Sequence, residues 1–326
     1  MKSWIKTVAV VLMSVAAVPA IAAPKTKAVG PAFPATLAAK PMFAKLQSKA
    51  VAPGVTYYSA HFKNLLGDGP EATHWLVVEW EKCGKDISLN ISRNPERREC
   101  PSELANAVKA IACVNGTYHS TTDPSVPEMQ LKVRGEMIPS KSTGGDGTMA
   151  FNKGEMPYIG HFKPELLTTY ESVISGDGVP GLGQPLPDYT DKSSAACQAR
   201  ESCRAPRTFA GNNLTNKWTV IGICDGRQPG HSIGVNYVEL RYMLEQWGCD
   251  PAALVSFDGG GSTMMGIKKG GKVEVVNSPS DGAPKRCTER RVAESIQIID
   301  AKSRPDANVK GAKKSKPANK SRPARS

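Results

Sequence analysis

The stretch SFDGGGSTMM, residues 256–265, places an aspartate and three consecutive glycines directly after the apolar run AALVSF. Each glycine costs conformational entropy on folding, so three in a row indicate that another group must come very close to this backbone. Backbone N–H groups exposed in such a turn favour an anion such as phosphate. Ser262 and Thr263 add two hydroxyl groups. The pattern predicts a site for an anionic or polyhydroxyl ligand, with Asp258 as base, nucleophile or acceptor of a sugar hydroxyl.

The glycine run differs from three common glycine motifs. A phosphate-binding P-loop needs a Lys-Ser/Thr pair that opens a helix, a dinucleotide fingerprint needs G-x-G-x-x-G, and a serine-hydrolase elbow needs G-x-S-x-G. Here the chain continues as MMGIKKGGKVEVV, which predicts a hairpin that turns at Gly270-Gly271. A tight turn without a ligand is the remaining alternative.

The segments around the glycine run predict more strands than helices. Strand-like runs are GVTYYSA, HWLVVEW, DISLNIS, IACV, KWTVIGIC and ESIQIID. A helix is predicted over NYVELRYMLEQWG, with Asn236 and Glu239 as a capping box and Gly248 as the stop. A second helix, SELANAVKAI, has Ser102 as its N-cap. Residues 139–206 show little periodicity and predict an irregular insertion. The predicted fold class is α+β, a single domain built on a mixed, largely antiparallel β-sheet with flanking helices.

The two ends of the chain differ in composition from its centre. Two lysines, the apolar run Val8–Val18 and the small-residue site Ala20-Ile21-Ala22 predict a secretory signal peptide over residues 1–22, and hence a periplasmic or secreted protein. An Ala/Pro/Lys-rich linker is predicted over 23–50 and the folded domain over 51–300. Residues 301–326 hold nine Lys or Arg and one Asp, a net charge of +8 out of the chain's +12. This tail is predicted to be disordered. It can bind an anionic envelope polymer or nucleic acid by charge alone, or be a solvated tail without a dedicated partner.

The chain contains eight cysteines, an even number, and these predict disulfide bonds in an exported protein, with the pairing left open. A zinc site is disfavoured because there is no C-x-x-C pair and no two histidines stand at ligand spacing. No stretch after the signal peptide is long and apolar enough to predict a transmembrane segment in the mature chain.

Several segments together resemble the phosphodiester glycosidase family, over roughly residues 52–300. FDGGGSTMM resembles the signature of that family, and the other matching segments are ACVNGTYH, APRTFAGNN, ICDGRQPGHSIGVNYVELRYMLEQWGC and TERRVAES. The residues that carry over are Asn115, Gly116, Arg207, Thr208, Asp225, Gly226, Arg227, Ser232, Gly234, Glu239, Arg290 and Val292. The chain departs from the family at Glu294, where an asparagine is usual, and at Thr117-Tyr118-His119, which follow the Asn-Gly pair.

The resemblance implies that the protein hydrolyses a sugar-1-phosphodiester at the anomeric carbon. Such a reaction needs cations that offset the charge of the leaving phosphate and a carboxylate near the anomeric carbon or its attacking water. Asp258 is the first candidate for the catalytic carboxylate and Asp225 is the second, with a turn-capping role as the alternative for Asp225. The predicted substrate-binding residues are Asn115, Arg207, Arg290, Arg227, Gly259, Gly260, Gly261, Ser262 and Thr263.

The remaining polar residues near these motifs have simpler explanations. Glu239 is interpreted as a helix cap, and His119 and His231 are left outside the site. No cofactor is predicted, although Asp258, Asp225 and Asn115 offer oxygen atoms to a hard cation such as Ca²⁺. Two alternatives to the hydrolase stay open. One is a non-catalytic periplasmic protein that binds a glycan or polyanion, and the other is an envelope scaffold that acts through its basic tail.

Overall fold

In a computed structural model of the chain, the described residues are 46–66, 69–94, 96, 98–120, 123, 125–179, 204–281 and 288–305. All of them belong to one unit of the chain, residues 31–326. The predicted signal peptide, most of the predicted linker and most of the basic tail lie outside the described residues. So do Cys197, Cys203 and Cys287. None of the helices within the described ranges has the length and apolar character needed to cross a bilayer.

The first sheet has six strands, and each strand pairs with its neighbours in antiparallel fashion. In spatial order they are β1 (Gln47–Ala52), β2 (Val55–Phe62), β3 (Glu71–Glu79), β12 (Trp218–Cys224), β11 (Arg207–Asn213) and β13 (Leu254–Phe257). β1 begins at Gln47, within the segment predicted as linker. β12 and β13 both pair with β11, so the chain crosses over between them through a helix.

Two further sheets of five antiparallel strands complete the fold. The second sheet, in spatial order, is β7 (Glu136–Ile138), β6 (Leu131–Val133), β10 (Ser172–Gly176), β8 (Gly147–Phe151) and β9 (Tyr158–Gly160). The third is β15 (Lys272–Val275), β14 (Met265–Lys269), β5 (Ala112–Asn115), β16 (Glu294–Asp300) and β4 (Ile87–Arg93). The predicted hairpin at Gly270-Gly271 is confirmed, and both glycines have positive φ, 57° and 92°.

Four α-helices lie among the described residues: α1 (Trp80–Cys83), α2 (Pro101–Ala107), α3 (Leu166–Thr169) and α4 (Tyr237–Gln246). The predicted capping box of α4 is confirmed. Asn236 Oδ1 accepts the N–H groups of Val238 and Glu239, and Glu239 Oε2 accepts the N–H of Asn236. Gly248 follows the helix with a φ of 71°, a conformation that favours glycine.

The largest hydrophobic core lies between the first sheet and the other two sheets. Side chains of all three sheets meet there, including Leu76, Phe257, Met149, Ile174 and Ile296. Because strand side chains alternate between faces, the opposite face of the first sheet carries Trp75 and Phe209, and these pack with Leu240 and Met243 of α4. The architecture is therefore α+β and dominated by antiparallel sheet.

The structure corrects three details of the sequence prediction. The single mixed sheet is three sheets, and every strand pairing among the described residues is antiparallel. Part of the predicted insertion, residues 147–176, forms β8, β9, α3 and β10. The N-cap of α2 is Cys100, because Pro101 and Ser102 already lie within the helix. The predicted disulfides remain a prediction, because three of the cysteines lie outside the described residues; the five described ones are free thiols: Cys83, Cys100, Cys113, Cys224 and Cys249.

Candidate functional site

Three adjacent strands of the first sheet bring predicted site residues to one edge. Arg207, the first residue of β11, pairs with Cys224 at the end of β12, and Thr208 pairs with Phe257 at the end of β13. Asp225 and Asp258 follow directly, so both carboxylates and Arg207 lie along the same edge. Neighbouring strands are about 4.8 Å apart, so the backbones of the two aspartates are about 10 Å apart.

The third sheet reaches this edge through Asn115, the last residue of β5. Its Nδ2 donates to the carbonyl of Asp258 (2.6 Å), and its Oδ1 accepts from the Thr208 hydroxyl (2.7 Å) and the Met264 N–H (3.2 Å). The side chain is fully buried. Asn115 therefore connects both ends of the glycine run to the first and third sheets. Its polar atoms form hydrogen bonds within the protein.

The glycine turn, residues Asp258–Thr263, is held by backbone hydrogen bonds at its start. The Asp258 N–H donates to the Gly116 carbonyl (3.1 Å), and the Gly260 N–H donates to the Pro206 carbonyl (2.9 Å). Gly260 has a φ of 60°, and a Cβ on Gly259 would lie 2.7 Å from the Pro206 oxygen. Both positions therefore require glycine.

Two of the predicted arginines lie directly against this turn. A Cβ on Gly260 would lie 3.0 Å from Nη1 of Arg227, and a Cβ on Gly261 would overlap the guanidinium of Arg290. The absence of Cβ atoms thus allows two cationic side chains to lie against the backbone of the turn. Arg227 has a φ of 59°, which is uncommon for a residue with a side chain.

Arg290 is held in place by a carboxylate that the sequence analysis did not identify. Its Nε and Nη2 donate to the two oxygens of Asp281 (3.1 and 2.9 Å), and its Nη1 is 3.4 Å from the Ser262 hydroxyl. Hydrogen bonding to Asp281 raises the pKa of Arg290, and the reciprocal contact lowers the pKa of Asp281. This planar bidentate pair fixes the guanidinium beside the glycine turn.

The surroundings of Asp258 shift its pKa upward. Burial raises its pKa above the ordinary value, and the negative charge of Glu294 acts in the same direction. A hydrogen bond from Ser262, the charge of Arg290 and the Gly259 N–H oppose this rise without cancelling it. The carboxyl consequently retains more affinity for a proton than an exposed aspartate does.

Asp225 has the opposite character. Burial alone raises its pKa, but the contacts with His231, His74 and Asn277 outweigh burial and lower the pKa to about 2. His231 Nε2 and the Ser278 N–H are 3.0 and 2.9 Å from Oδ2, and Asn277 Nδ2 is 2.7 Å from Oδ1. A carboxylate surrounded by donors in this way stays ionised and is a weak base at neutral pH.

Arg207 lies on an aromatic side chain. Its guanidinium carbon is 4.2 Å from the ring centre of Tyr237, an arrangement typical of a cation–π contact. The hydroxyls of Tyr237 and Tyr118 both donate to Oδ2 of Asp177, at 2.7 and 2.8 Å. The Asp177 carbonyl accepts the N–H of Ser256 in β13. Two tyrosines and a carboxylate therefore lie near the end of the strand that carries Asp258.

The hydroxyls of the glycine turn differ in their surroundings. Ser262 contacts both Asp258 and Arg290. Thr263 is fully buried, and its hydroxyl has no hydrogen-bond partner within the described part of the chain. Of the predicted residues, the structure thus brings Asp258, Ser262 and Arg290 into contact. It places Arg227 on the same turn and Arg207 beside it.

Three histidines, His61, His74 and His231, line a neighbouring cavity of about 410 Å³, and two of them, His74 and His231, face Asp225. The rings of His61 and His231 stack with their centres 5.5 Å apart, and His74 Nε2 is 3.8 Å from Oδ2 of Asp225. Tyr57 is hydrogen-bonded to the other ring nitrogen of His74 at 2.7 Å. Asp225 therefore joins this cavity to the glycine turn, because Asn277 contacts both Asp225 and the Thr263 carbonyl.

The oxygen atoms suggested for a hard cation are largely engaged by protein donors. Asn115 Oδ1 accepts two hydrogen bonds, and Asp225 accepts three or more. Among the residues that the structure describes, no group of three or more His, Cys, Asp or Glu is arranged to hold a metal ion.

Several residues of this edge are not among the predicted site residues. Asp177, Asp281 and Asn277 lie in loops with no recognisable motif, and His231, which is not predicted as a site residue, contacts Asp225. The segment NSPSDG, which follows the β14–β15 hairpin, is a run of turn-forming polar residues. Such a run beside a strand end is the one pattern that points to Asn277 and Asp281 as loop residues with polar contacts.

Comparison with solved structures identifies similar folds at low sequence identity. The catalytic domain of zebrafish N-acetylglucosamine-1-phosphodiester alpha-N-acetylglucosaminidase, in a form auto-inhibited by its pro-peptide, matches with a TM-score of 0.57 and 15% identity, over 78% of this chain and 88% of that chain. A hypothetical protein from Synechocystis matches with a TM-score of 0.55 and 13% identity, over 78% and 64%. A protein from Burkholderia pseudomallei matches with a TM-score of 0.56 and 12% identity, over 78% and 96%.

The sequence comparisons give a family. No curated protein sequence matches the chain. The model of the phosphodiester glycosidase family matches residues 108–299, a range that contains Asn115, the glycine turn and all three predicted arginines. This match covers more than half of the chain, and the chain belongs to the phosphodiester glycosidase family.

Proposed function

We propose that the protein is an exported hydrolase that cleaves a sugar-1-phosphodiester, breaking the bond between the anomeric carbon and the phosphate oxygen. One observation carries the proposal: Asp258, whose pKa is raised by burial, lies on the glycine turn next to Ser262 and the cationic Arg290. A carboxyl with affinity for a proton and a fixed cation at one turn are the two groups that this hydrolysis needs.

The arginine side chains at this edge stabilise the negative charge of the leaving group. A phosphate ester departs as an anion and needs little protonation, so charge stabilisation matters more than a strong acid. Arg290 and Arg227 lie against the glycine turn, and guanidinium groups match phosphate oxygens in shape and charge. Arg207, held on the Tyr237 ring, is a third cation at the same edge.

Asp258 acts as the base in this proposal. It removes a proton from the water whose oxygen attacks the anomeric carbon, while the carbon–oxygen bond to phosphate breaks. The products are a free sugar and a phosphomonoester. A raised pKa makes a carboxylate a stronger base near neutral pH. Attack by Asp258 itself as a nucleophile uses the same placement. Asp225, ionised and surrounded by donors, orients His231 and the Asn277 loop.

The predicted signal peptide over residues 1–22 supports a periplasmic or secreted protein, and the family supports the substrate class. There, phosphodiester-linked sugars of envelope or exopolysaccharide glycans are the substrates that we propose. Contact of the basic tail, residues 301–326, with an anionic envelope polymer would keep the enzyme near them.

The test is release of free sugar from a panel of hexose and N-acetylhexosamine 1-phosphodiesters. We expect turnover by the protein that begins at Ala23 and loss of turnover in Asp258→Asn. Asp250→Asn is the matched control, because Asp250 lies in the loop before the same strand and accepts the Ala252 N–H. It should keep turnover. Equal activity of Asp258→Asn and Asp250→Asn would refute the role of Asp258.

A second function, non-catalytic binding of a glycan or polyanion, is favoured by one observation. Arg290 is already paired with both oxygens of Asp281, which offsets its charge toward a substrate. If no member of the panel releases sugar, and titration calorimetry detects binding that Arg290→Gln weakens, the protein is a binding protein with this fold.

A further inference from the structure

A histidine and a glutamate form a buried pair close to the glycine turn. His119, in the loop after β5, has its Nε2 2.6 Å from Oε2 of Glu294, the first residue of β16. Their side chains are 7% and 0% exposed. Neither residue belongs to the site as predicted or to the hydrolytic steps described above.

The geometry around the pair fixes the number of protons it holds. His119 Nδ1 is 3.2 Å from the Thr117 carbonyl, which can only accept, so Nδ1 carries a hydrogen. Glu294 Oε1 accepts the Thr117 N–H at 2.9 Å, so this oxygen is not protonated. Nε2 and Oε2 then face each other, and neither has another hydrogen-bond partner among the described residues. Two unprotonated atoms at that distance would repel, so one proton lies between them.

Arg93, at the end of β4, interacts electrostatically with Glu294, and its positive charge favours the Glu294 anion. A carboxylate at Oε2 leaves the shared proton on His119 Nε2, so the two side chains form one buried pair within the protein.

The pair contacts the backbone that holds Asp258. A Cβ on Gly116 would lie 2.6 Å from Glu294 Oε1, so the carboxylate lies directly on this glycine. The Gly116 carbonyl accepts the N–H of Asp258 at 3.1 Å. The charged groups that act on Asp258 are Glu294 and Arg290, and those that act on Glu294 are His119, Arg93 and Asp258. Position and charge at Asp258 thus both depend on Glu294.

We propose that His119 and Glu294 are positioning residues, a buried imidazolium–carboxylate pair that holds the segment Gly116–His119 against Asp258 and supplies the negative charge behind it. The effect on catalysis rests on the proposed hydrolase function, whereas the pair itself does not. The negative charge of Glu294 raises the pKa of Asp258. Removing that charge should lower this pKa while leaving the shape of the loop intact.

The test uses Glu294→Gln, which keeps the length of the side chain and an acceptor for the Thr117 N–H. Glu71→Gln is the matched control, because Glu71 is also fully buried and accepts two backbone N–H groups, of Leu65 and Leu66. NMR of the full chain with ¹⁵N-labelled histidine and ¹³C-labelled aspartate reads out both groups. His119→Gln and Asp258→Asn assign the two signals.

We expect a protonated His119 Nε2 at pH 7 in the wild type and in Glu71→Gln. In Glu294→Gln, Nε2 should be unprotonated, because the amide now donates to it. The titration midpoint of Asp258 should fall in Glu294→Gln alone. If turnover is found, the kcat limb that follows Asp258 should move to lower pH in the same variant.

Two results would overturn the proposal. An unprotonated Nε2 in the wild type would remove the ion pair, and an unchanged Asp258 midpoint in Glu294→Gln would remove its effect on Asp258. Both readouts are obtained without substrate. Absence of turnover on the panel would therefore refute the proposed function and leave the inference about the pair decided by NMR.

Discussion

Asp225→Asn should destabilise the protein strongly, and in a way that depends on pH. The side chain is 1% exposed, and its pKa of about 2 lies below the ordinary value of 3.8. Each pKa unit is worth about 1.36 kcal/mol, so the native contacts of the ionised form contribute about 2.4 kcal/mol. Asparagine also presents an N–H group where Asp225 accepts, which leaves a donor unpaired at about 1–3 kcal/mol more. We expect a total loss of about 3–5 kcal/mol at pH 7.

The sign of the pH dependence follows from the depressed pKa. Its contribution is present in full above the unfolded-state pKa near 3.8 and is lost as the pH falls through the native value of about 2. The ionised carboxylate should thus stabilise the fold by about 2.4 kcal/mol at pH 5 and by about 0.4 kcal/mol at pH 2. The gap between wild type and Asp225→Asn should shrink by about 2 kcal/mol over this range. His231, a partner of Asp225, stays protonated over this range in the unfolded state because its ordinary pKa is about 6.5, and in the folded state because the contact with Asp225 raises its pKa.

Urea unfolding at a series of pH values measures this gap, provided that two probes give one transition. Asp281→Asn is the control, because it makes the same chemical change at a carboxylate that is 37% exposed and paired with Arg290. A surface ion pair of this kind should cost at most about 1 kcal/mol. The reasoning fails if Asp225→Asn costs no more than Asp281→Asn, or if its cost is the same at pH 5 and pH 2.

Three further predictions concern the glycine turn and its supports. Gly261→Ala should displace Arg290 and reduce stability by about 1–3 kcal/mol, because its Cβ would overlap the guanidinium. Thermal melts measure this loss. Gly230→Ala is the control and should be nearly neutral, because a Cβ there meets no atom within 4 Å. Asn236→Ala should cost about 0.5–2 kcal/mol by removing the acceptor at the start of α4, and urea unfolding will show it. Arg290→Lys should weaken binding of a sugar phosphate in calorimetry, because a lysine cannot reproduce the bidentate contact to Asp281.

Local patterns in the sequence predict most strands and the longest helix. KWTVIGIC forms β12 at Trp218–Cys224, and the Asn236–Glu239 box begins α4 as expected. The number of sheets cannot be predicted from these local patterns. HWLVVEW and DISLNIS, which read as two strands joined by a turn, belong to different sheets, because α1 and the turn after it redirect the chain. Alternation of apolar residues fixes the faces of a strand and leaves its partner undetermined.

The site, like the fold, is only partly predictable from local sequence. Asp258 and Asp225 have the same local sequence context, each ending an apolar strand and preceding a glycine. Burial raises the pKa of both, and their other contacts decide the outcome. At Asp225, His231 from the same sequence segment, together with His74 and Asn277 from distant segments, outweighs burial. At Asp258, the contacts with Ser262, Arg290 and Gly259 do not cancel the effect of burial. The local motif contains His231 and Ser262, but it does not indicate which of these contacts form.

The glycine run predicts that some group lies close to the backbone of the turn, but it does not identify that group. The run GGG requires a neighbour at the backbone, and a bound sugar phosphate was the expectation. At two of the three glycines, the neighbouring group is an arginine that such a ligand would contact. Arg227 lies next to Gly260, and Arg290 lies next to Gly261. A turn without Cβ atoms lets the guanidinium of Arg290 lie close to Asp258, where its charge partly opposes the rise in the pKa of that carboxyl. The glycines therefore act on chemistry through the cations they admit, and a side chain at Gly261 would disturb Arg290 and Asp258 together.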